Sequence, residues 1–433
     1  MKCGLARIAL ILFAIFCSFT SSHAQGFDRI ERGRSQDMLK NIKNEMKKNY
    51  YDPTFHGLDL DAIFKKASDK LDNATSLGQA FGIIAQAVID LNDSHTRFYP
   101  PKTTAKVQYP WLMQMIGNRC YITSVKPGSE AEKQGLKAGD EVLAVESFHP
   151  NRREMWKILY YYNILSPRST LRLQIRSPDS SEARDIDIKS KVTTGKRIST
   201  ISDVIYEYEN SSDEVKHRFL RLGSTIIWQM PSFITSPESI DSIMKDRVRD
   251  SSNLVLDLRG NSGGYVVTLE RLAGYFVEND TKIADLKGRK EMKPQLAKTR
   301  GGDVFHGKLV ILIDANSASA SEIFARFMQL QQRAVVIGDQ SAGAVMQSQG
   351  VSMSRGVDSV VFYGMSLTNA DVIMSDGVSL EHIGVQPQIE ILPTASDLAA
   401  GRDPVISAAI KLLGQEFSPL EAGKLFPYEW KDN

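Results

Sequence analysis

Cysteine and histidine are scarce in this sequence, and neither shows the spacing of a metal site. The three cysteines stand at positions 3, 17 and 120 of 433 residues, and the first two lie within the amino-terminal 24. Without that segment Cys120 has no partner, which excludes an internal disulfide. No His-x-x-x-His or Cys-x-x-Cys pair occurs among the seven histidines and three cysteines. We therefore predict neither a metal nor another cofactor.

An excess of charge of one sign is also missing. The chain has 53 Lys and Arg against 51 Asp and Glu, and two of the basic residues lie in the first 24 positions, which leaves 51 of each sign. No basic stripe remains that would favour a nucleic-acid partner. With 42% hydrophobic residues and 30 glycines, the composition is that of an ordinary globular protein.

The amino terminus has the layout of an export signal. Two basic residues precede the apolar run 8–16, and Ser22-His23-Ala24 places small residues where a signal peptidase cleaves. We predict a signal peptide over 1–24, cleavage before Gln25, and export to the periplasm or the extracellular space.

Long apolar runs are missing as well. The run in the leader is too short to cross a bilayer, and no later stretch reaches about 18 apolar residues, so no integral membrane segment is expected after cleavage. A lipid anchor on Cys17 is the alternative, but bulky Phe16 stands where a lipid-attachment signal needs a small residue.

Three kinds of sequence pattern then follow one another. Residues 25–104 are predicted to form a helical region, because apolar residues recur at alternating spacings of four and three at Leu77, Phe81, Ile84, Val88 and Leu91. Residues 105–193 carry short β-branched and aromatic runs, at 120–125, 141–145 and 170–175, which predict a β-rich module.

Residues 194–395 are predicted to form an α/β core. Uniformly apolar runs at 254–258 and 309–313 are each followed by an amphipathic helical pattern, which is typical of a sheet buried on both faces. Residues 396–433 show no clear pattern and are assigned to a carboxy-terminal tail. The predicted fold class is therefore multidomain α/β.

The β-rich module contains a helix and a tight turn in a recognisable order. Pro127-Gly128-Ser129-Glu130-Ala131-Glu132 is followed by Gly135-Leu136-Lys137-Ala138-Gly139-Asp140 and then by a predicted strand. This arrangement resembles a PDZ domain of the bacterial protease type. The resemblance implies a groove that adds an extended peptide to a strand edge and holds a carboxy terminus.

Two turns in the α/β core could carry chemistry. Asn316-Ser317-Ala318-Ser319-Ala320-Ser321-Glu322 joins a buried strand to a helix, where free backbone N–H groups and the helix dipole favour the negative charge of a reacting serine. These serines could equally be simple helix caps. Arg259-Gly260-Asn261-Ser262-Gly263-Gly264 contains the Gly-x-Ser-x-Gly pattern of an α/β-hydrolase elbow, with Ser262 as nucleophile, or is a plain turn.

Four segments taken together resemble the tail-specific, or carboxy-terminal processing, serine peptidases. They are Asp257-Leu258-Arg259-Gly260-Asn261-Ser262-Gly263-Gly264, Ser317-Ala318-Ser319-Ala320-Ser321-Glu322, Arg333-Ala334-Val335-Val336-Ile337-Gly338 and Glu381-His382-Ile383-Gly384-Val385-Gln386-Pro387. The resemblance implies a crotonase-like or ClpP-like spiral α/β core with Ser319 as nucleophile. It also implies an oxyanion hole formed by the N–H groups of Gly263 and Ala320, and it leaves Ser262 without a catalytic part.

The catalytic lysine of that family is absent. The family's Ser/Lys dyad places the lysine 25 residues after the serine, which here is Ala344, and no lysine occurs between Lys308 and Lys411. Because a neutral serine is a poor nucleophile without a base in reach, either another group serves as base or the site is inactive.

The branch similar to the tricorn protease core takes its base from the helical region instead. In Asn92-Asp93-Ser94-His95-Thr96 the resemblance implies His95 as base, with Ser94 as a relay and Glu381 as the carboxylate that orients the imidazole. An imidazole of pKa near 6.5 can take a serine proton at neutral pH. The alternatives are His382 as the base and, as the carboxylate, Asp93, Asp376 or Glu322.

The sequence thus predicts an exported serine endopeptidase that cleaves peptide or protein substrates through an acyl-enzyme. Two other functions remain open. One is an inactive relative of the fold that binds peptides or other ligands, and the other is an esterase that uses Ser262.

Overall fold

The computed structural model describes residues 27–101, 105–194, 216–355 and 361–430. The predicted signal peptide, 1–24, lies outside these ranges. Within them, every helix is too short or too polar to span a bilayer.

An amino-terminal helical layer opens the described chain, as the apolar periodicity predicts. Each of its helices begins at a side chain that accepts a backbone N–H, which satisfies one free donor of the first turn. The helices, with their capping residues, are α1 (Arg29–Asn49, Asp28), α2 (Leu60–Leu71, Asp59) and α3 (Leu77–Ile89, Ser76), and one turn of 3-10 helix (Phe55–Gly57) lies between the first two.

The helical layer packs against a long antiparallel sheet rather than standing apart. Its buried side chains, among them Ile42 and Ile84, share one hydrophobic core with Met365 and Leu367 of the sheet. The strands run in the order β1, β17, β12, β13, with β16 also paired to β17. Their bounds are β1 Arg97–Tyr99, β12 Thr281–Gly288, β13 Gln295–Ala297, β16 Met346–Arg355 and β17 Val361–Met374.

The β-rich module forms a five-stranded antiparallel sheet, with strands in sequence order from β3 to β7, beside a two-stranded pair of β2 and β8. The runs predicted as strands lie within β4, β5 and β6. The strands are β2 Ala105–Gln108, β3 Trp111–Ile116, β4 Arg119–Val125, β5 Glu141–Val145, β6 Thr170–Arg176, β7 Ala183–Lys189 and β8 Lys191–Thr194. Its helices are α4 (Glu130–Lys133) and α5 (Met155–Tyr160), and α5 runs on into a π-helical turn (Tyr161–Leu165).

A six-stranded, mostly parallel sheet holds the two motif-bearing turns. Its order is β18, β15, β14, β11, β10, β9, and β9 is the antiparallel member. The strands are β9 Arg218–Leu222, β10 Thr225–Gln229, β11 Asn253–Asp257, β14 Lys308–Ile313, β15 Val335–Gly338 and β18 Ile389–Glu390. Because β11 and β14 are parallel neighbours, the turns that follow them meet at one edge of the sheet.

Both faces of this sheet are covered, which explains the uniformly apolar strands. Leu254 and Leu256 share a core with the helices that follow the motif-bearing turns, whereas Val255 packs against the carboxy-terminal helices. On the first side lie α6 Pro237–Ile243 with a π-helical turn (Met244–Val248), α7 Val266–Ala273 with a 3-10 turn (Gly274–Phe276), and α8 Ala320–Leu330. One further 3-10 turn spans Gly301–Asp303.

The carboxy-terminal segment is helical, although the sequence showed no clear pattern there. Val405, Ile406 and Ile410 are buried against the second face of the parallel sheet. The helices are α9 Ala395–Ala399, α10 Pro404–Leu412 and α11 Pro419–Ala422. A single short helix has too few apolar positions to stand out by periodicity, and its role is set by the sheet face that it covers.

Arg259 ties this carboxy-terminal layer to the first motif-bearing turn. Its guanidinium contacts Asp257 at the end of β11 and Asp403 at the start of α10, each at 2.8 Å. Burial works against the charge of Arg259, but the two carboxylates outweigh it and raise the pKa of the guanidinium well above its ordinary value. The three groups form a compensated charge cluster.

We expect Arg259→Ala to lower the free energy of unfolding by about 3 kcal/mol, because it leaves two largely buried carboxylates without their counter-charge. Thermal and urea unfolding followed by circular dichroism would measure the change. The matched control is Arg172→Ala, which breaks an exposed pair with Asp187 at 2.9 Å and should leave the unfolding midpoint unchanged. Equal midpoints for the two variants would contradict the role given to Arg259.

Candidate active site

Ser319 stands at the first turn of α8 in an unusual backbone conformation. Its φ and ψ are 56° and −119°, a combination that costs a non-glycine residue on the order of 1–3 kcal/mol. The side chain is half-buried and so remains accessible. Gly263 packs directly against it, and a Cβ at that glycine would lie 2.7 Å from the Ser319 Cβ, so only glycine fits there.

His95 reaches Ser319 from the loop that follows α3. Its Nε2 lies 3.3 Å from the Ser319 Oγ, although the two residues are 224 positions apart in the sequence. Asp93 fixes this loop, because its Oδ1 accepts the N–H groups of His95 at 2.9 Å and Thr96 at 2.6 Å. The hydroxyl of Thr368, on β17, donates to the same oxygen at 2.7 Å and anchors the turn to the sheet.

Ser94 lies between His95 and Glu381. The Ser94 Oγ is 2.7 Å from the His95 Nδ1 and donates to the Glu381 Oε2 at 2.8 Å. The Ser94 N–H donates to the Glu381 Oε1 at 2.7 Å. The four residues singled out in the sequence thus form one hydrogen-bonded row, in which Glu381 contacts the imidazole only through Ser94.

This row selects the tautomer of the imidazole. A hydroxyl has a single proton, so a Ser94 Oγ that donates to Glu381 must accept the Nδ1–H of His95. The Nε2 then carries the lone pair and faces Ser319. That tautomer is the one a general base needs.

The surroundings also keep His95 neutral. Burial, together with the nearby positive charge of Arg97, lowers the pKa of His95 to about 4, while Asp93 acts in the opposite direction. Burial raises the pKa of Glu381. The sequence alone predicts the unperturbed pKa near 6.5, and the difference arises from burial between distant segments.

Three of the rival residues named from the sequence make no hydrogen bond to the Ser319 hydroxyl within the described ranges. His382 is about half exposed, and its Nε2 lies 2.8 Å from the carbonyl oxygen of Asn92 and 3.6 Å from the Glu381 Oε1. Asp376 pairs with Arg326 at 2.6 Å. Ser262 is exposed, and within the described ranges its hydroxyl makes no hydrogen bond to a histidine.

Glu322 and Asp93, the other rival carboxylates, both bind backbone N–H groups close to the site. Glu322 is buried, and its Oε2 accepts the N–H of Ser319 at 3.0 Å. Neither carboxylate takes the place of Glu381 beside Ser94. The Asp93 turn could have been found from its sequence, because an aspartate commonly accepts the N–H two residues on.

The two expected oxyanion donors differ in their surroundings. The Ala320 N–H, at the first position of α8, has no acceptor within the described part of the chain. The Gly263 N–H instead donates to the Asn261 Oδ1 at 2.9 Å. Asn261, which the sequence reasoning treated only as part of the turn, is fully buried and holds this N–H.

The position of the missing lysine lies beside Ser319. The carbonyl oxygen of Ala344 accepts the Ser319 N–H at 2.9 Å. The adjoining Val345 N–H donates to the Glu381 Oε2 at 2.8 Å. This loop therefore contacts both ends of the hydrogen-bonded row while it carries only a methyl side chain at position 344.

Comparison with known proteins identifies the family of the segment that carries the site. The model of peptidase family S41 matches residues 225–391, which include both motif-bearing turns and Glu381. Residues 225–391 belong to peptidase family S41. This match indicates a serine-type peptidase, in agreement with the resemblance noted from the sequence.

The relatives of this chain are distant in sequence but extend along most of it. A carboxyl-terminal-processing protease of a Picosynechococcus species is 22% identical over 431 residues, 96% of each chain. The carboxy-terminal processing protease CtpB of Bacillus subtilis is 24% identical over 327 residues, 72% of this chain and 62% of that protein.

Two solved structures share the fold. Mature CPAF complexed with lactacystin matches with a TM-score of 0.63 and 15% identity, over 86% of this chain and 96% of that chain. The photosystem II D1 C-terminal processing protease matches with a TM-score of 0.52 and 18% identity, over 82% and 93%. The predicted multidomain α/β fold class is confirmed by these likenesses.

The low pKa of His95 predicts that the reactivity of Ser319 falls with acid only well below pH 6.5. Because the folded state disfavours the imidazolium, His95 stays neutral until the pH falls towards about 4, and over that range it can accept a proton from Ser319 if it is the base. The rate of covalent labelling by a fluorophosphonate probe, measured from pH 4 to 8, should therefore stay high at pH 6. Circular dichroism in the same buffers controls for acid unfolding. A half-maximal rate near pH 6.5 would contradict this assignment.

Proposed function

We propose that this chain is an exported serine endopeptidase in which Ser319 is the nucleophile and His95 the general base. The observation that carries the proposal is the hydrogen-bonded row from Glu381 through Ser94 and His95 to Ser319. It joins a nucleophile, a base and an orienting group, which is the arrangement that activates a serine for acyl transfer.

In the proposed reaction the Ser319 Oγ attacks the scissile carbonyl carbon while the Nε2 of His95 takes the hydroxyl proton. The resulting imidazolium returns that proton to the nitrogen of the departing amine, so the peptide bond breaks and an ester to Ser319 remains. Water then attacks the ester with His95 again as base, which releases the acid product and restores the serine.

Ser94 and Glu381 would act on the imidazole and not on the substrate. As His95 gains a proton, the Nδ1–H points to Ser94, and the Glu381 carboxylate stabilises the new charge through that hydroxyl. The intervening serine lengthens the path between the two charges. The electrostatic help from Glu381 should therefore be smaller than that of a carboxylate in direct contact with the ring.

The N–H groups of Ala320 and Gly263 are proposed to hold the oxyanion. Ala320 can donate as it stands, since its N–H has no acceptor in the described ranges. Gly263 shares its N–H with the Asn261 Oδ1, so a substrate oxygen must compete with that amide or share the proton with it. Two donors aimed at the developing negative charge would supply a large part of the rate enhancement.

Extended or carboxy-terminal peptide segments are the proposed substrates. The names of the processing proteases among the relatives support this class, as does the PDZ-like pattern of the β-rich module. In that module β3 is an edge strand, which could pair with an extended peptide. Gln114 of β3 also contacts Asn316, three residues before the nucleophile, at 3.1 Å, so a peptide bound there would lie near the catalytic turn.

Fluorophosphonate labelling of the mature protein should occur at Ser319. Ser319→Ala should abolish it, and Ser262→Ala, which removes the exposed serine of the neighbouring turn, is the matched control that should retain it. Digestion of a diverse peptide pool, with the products read by mass spectrometry, should show new carboxy termini with wild type and none with Ser319→Ala. Labelling that survives Ser319→Ala but not Ser262→Ala would favour an esterase that uses Ser262. A wild type that cleaves nothing would favour an inactive relative that only binds peptides or other ligands.

His95→Ala should slow labelling by about 10³-fold, because general-base assistance is typically worth 10² to 10⁴. His382→Ala is the comparison, since it removes a neighbouring imidazole that contacts Glu381 at 3.6 Å but makes no hydrogen bond to the Ser319 hydroxyl in the described ranges, and we expect a much smaller loss. Labelling rates at pH 7.5 with both variants matched for thermal stability measure the difference. A greater loss in His382→Ala than in His95→Ala would transfer the role of base to His382.

A further inference from the structure

A buried carboxylate beneath the nucleophile has no part in the reaction as written above. Glu322 is completely buried in the first turn of α8. Within the described ranges it forms no ion pair, and its partners are hydrogen-bond donors. Such a group needs an explanation, because burying a carboxylate is costly unless something holds it.

Four donors converge on this carboxylate from two segments. The Oε2 accepts the N–H of Ser319 at 3.0 Å and that of Ala344 at 2.9 Å. The Oε1 accepts the hydroxyl of Ser341 at 2.6 Å and the N–H of Gly343 at 2.7 Å. Glu322 therefore joins the backbone of the nucleophile to the loop at 341–344.

The contact to Ser319 has a specific consequence. Ser319 has a positive φ, and its N–H is held on one side by the Glu322 Oε2 and on the other by the carbonyl oxygen of Ala344 at 2.9 Å. A residue in such a conformation persists only where its surroundings fix it. The same conformation directs the Oγ to His95 and leaves the Ala320 N–H without an acceptor in the described ranges.

The geometry points to Glu322 as a positioning residue that holds Ser319 in its reactive conformation by accepting the Ser319 N–H. This inference rests on the proposed function. It assigns to Glu322 no contact with substrate and no proton transfer.

The role does not require the carboxylate to be charged. Burial raises the pKa of Glu322 to about 7, against the effect of its four donors. A proton on Oε1 could be donated to the Ser341 Oγ and would leave Oε2 as the acceptor for Ser319. The positioning role is thus compatible with a labelling rate whose fall at acid pH is set by the protonation of His95.

Two substitutions separate this role from general support of the loop. Glu322→Ala removes the side-chain acceptor and leaves the Ser319 N–H with the carbonyl oxygen of Ala344. Glu322→Asp shortens the side chain by one methylene, but an aspartate at this helix position can still reach the cap N–H, as Asp397 does for Thr394 at 3.0 Å. The aspartate should therefore keep Ser319 in place while it loses the more distant donors of the loop.

The control is a second capping glutamate in the same chain. Glu421 accepts the N–H of Ser418 at 3.0 Å, the same contact and distance, but at the exposed start of α11. Glu421→Ala removes an equivalent cap that is not attached to the nucleophile. It should leave the labelling kinetics unchanged.

The measurement is fluorophosphonate labelling as a function of probe concentration, which gives the maximal rate, kinact, and the half-saturating concentration, KI. For Glu322→Ala we expect kinact to fall by about 100-fold with KI unchanged, since a displacement of roughly 1 Å at a reacting group can cost that much. Glu322→Asp should keep kinact close to wild type even where its melting temperature falls. A purely structural role would instead move kinact and melting temperature together.

The outcomes are distinct. If wild type is not labelled at Ser319, the proposed function fails. If wild type is labelled and folded Glu322→Ala retains its kinact, or loses only affinity for the probe, the positioning role is overturned. Should Glu322→Ala not fold, Glu322→Asp decides: a kinact near wild type supports the role, and a loss of about 100-fold in a folded variant overturns it.

Discussion

The contact between His95 and Ser319 sets the main constraint on this molecule. A serine hydroxyl and an imidazole 224 residues apart lie at 3.3 Å, and neither segment could hold that distance alone. The amino-terminal helices must pack against the sheet that contains β17, because Asp93 anchors the His95 loop to Thr368 on that strand. The helical layer is thus part of the candidate active site, and not a separate appendage.

Buried carboxylates organise the rest of the site through backbone N–H groups. Glu381 accepts the N–H groups of Ser94 and Val345, and Glu322 accepts those of Ser319, Gly343 and Ala344. These contacts satisfy backbone donors in and around the site, and the Ser319 N–H is shared with the carbonyl oxygen of Ala344. The loop at 341–345 is thereby held between the two carboxylates, beside the nucleophile, without the lysine that the dyad enzymes carry there.

Much of the fold could be predicted from local pattern. Uniformly apolar runs predicted β11 and β14, and the spacing of Leu77, Phe81 and Ile84 predicted α3, because side-chain burial in strands and helices follows a short period. The carboxy-terminal helix α10 could not be predicted in this way. Its apolar residues are buried against a sheet face that is assembled from strands far away in the sequence, so local periodicity does not reveal their role.

The sequence by itself determined which residues come into question: the serine of a strand-to-helix turn, a histidine after α3 and a glutamate near the carboxyl end. Tertiary structure decided how they meet. It placed Ser94 between Glu381 and the imidazole, turned the Gly263 N–H towards Asn261, and lowered the pKa of His95. The physical reason is that motifs and spacing specify local backbone conformation, whereas distances and burial between remote segments arise only when the layers pack together.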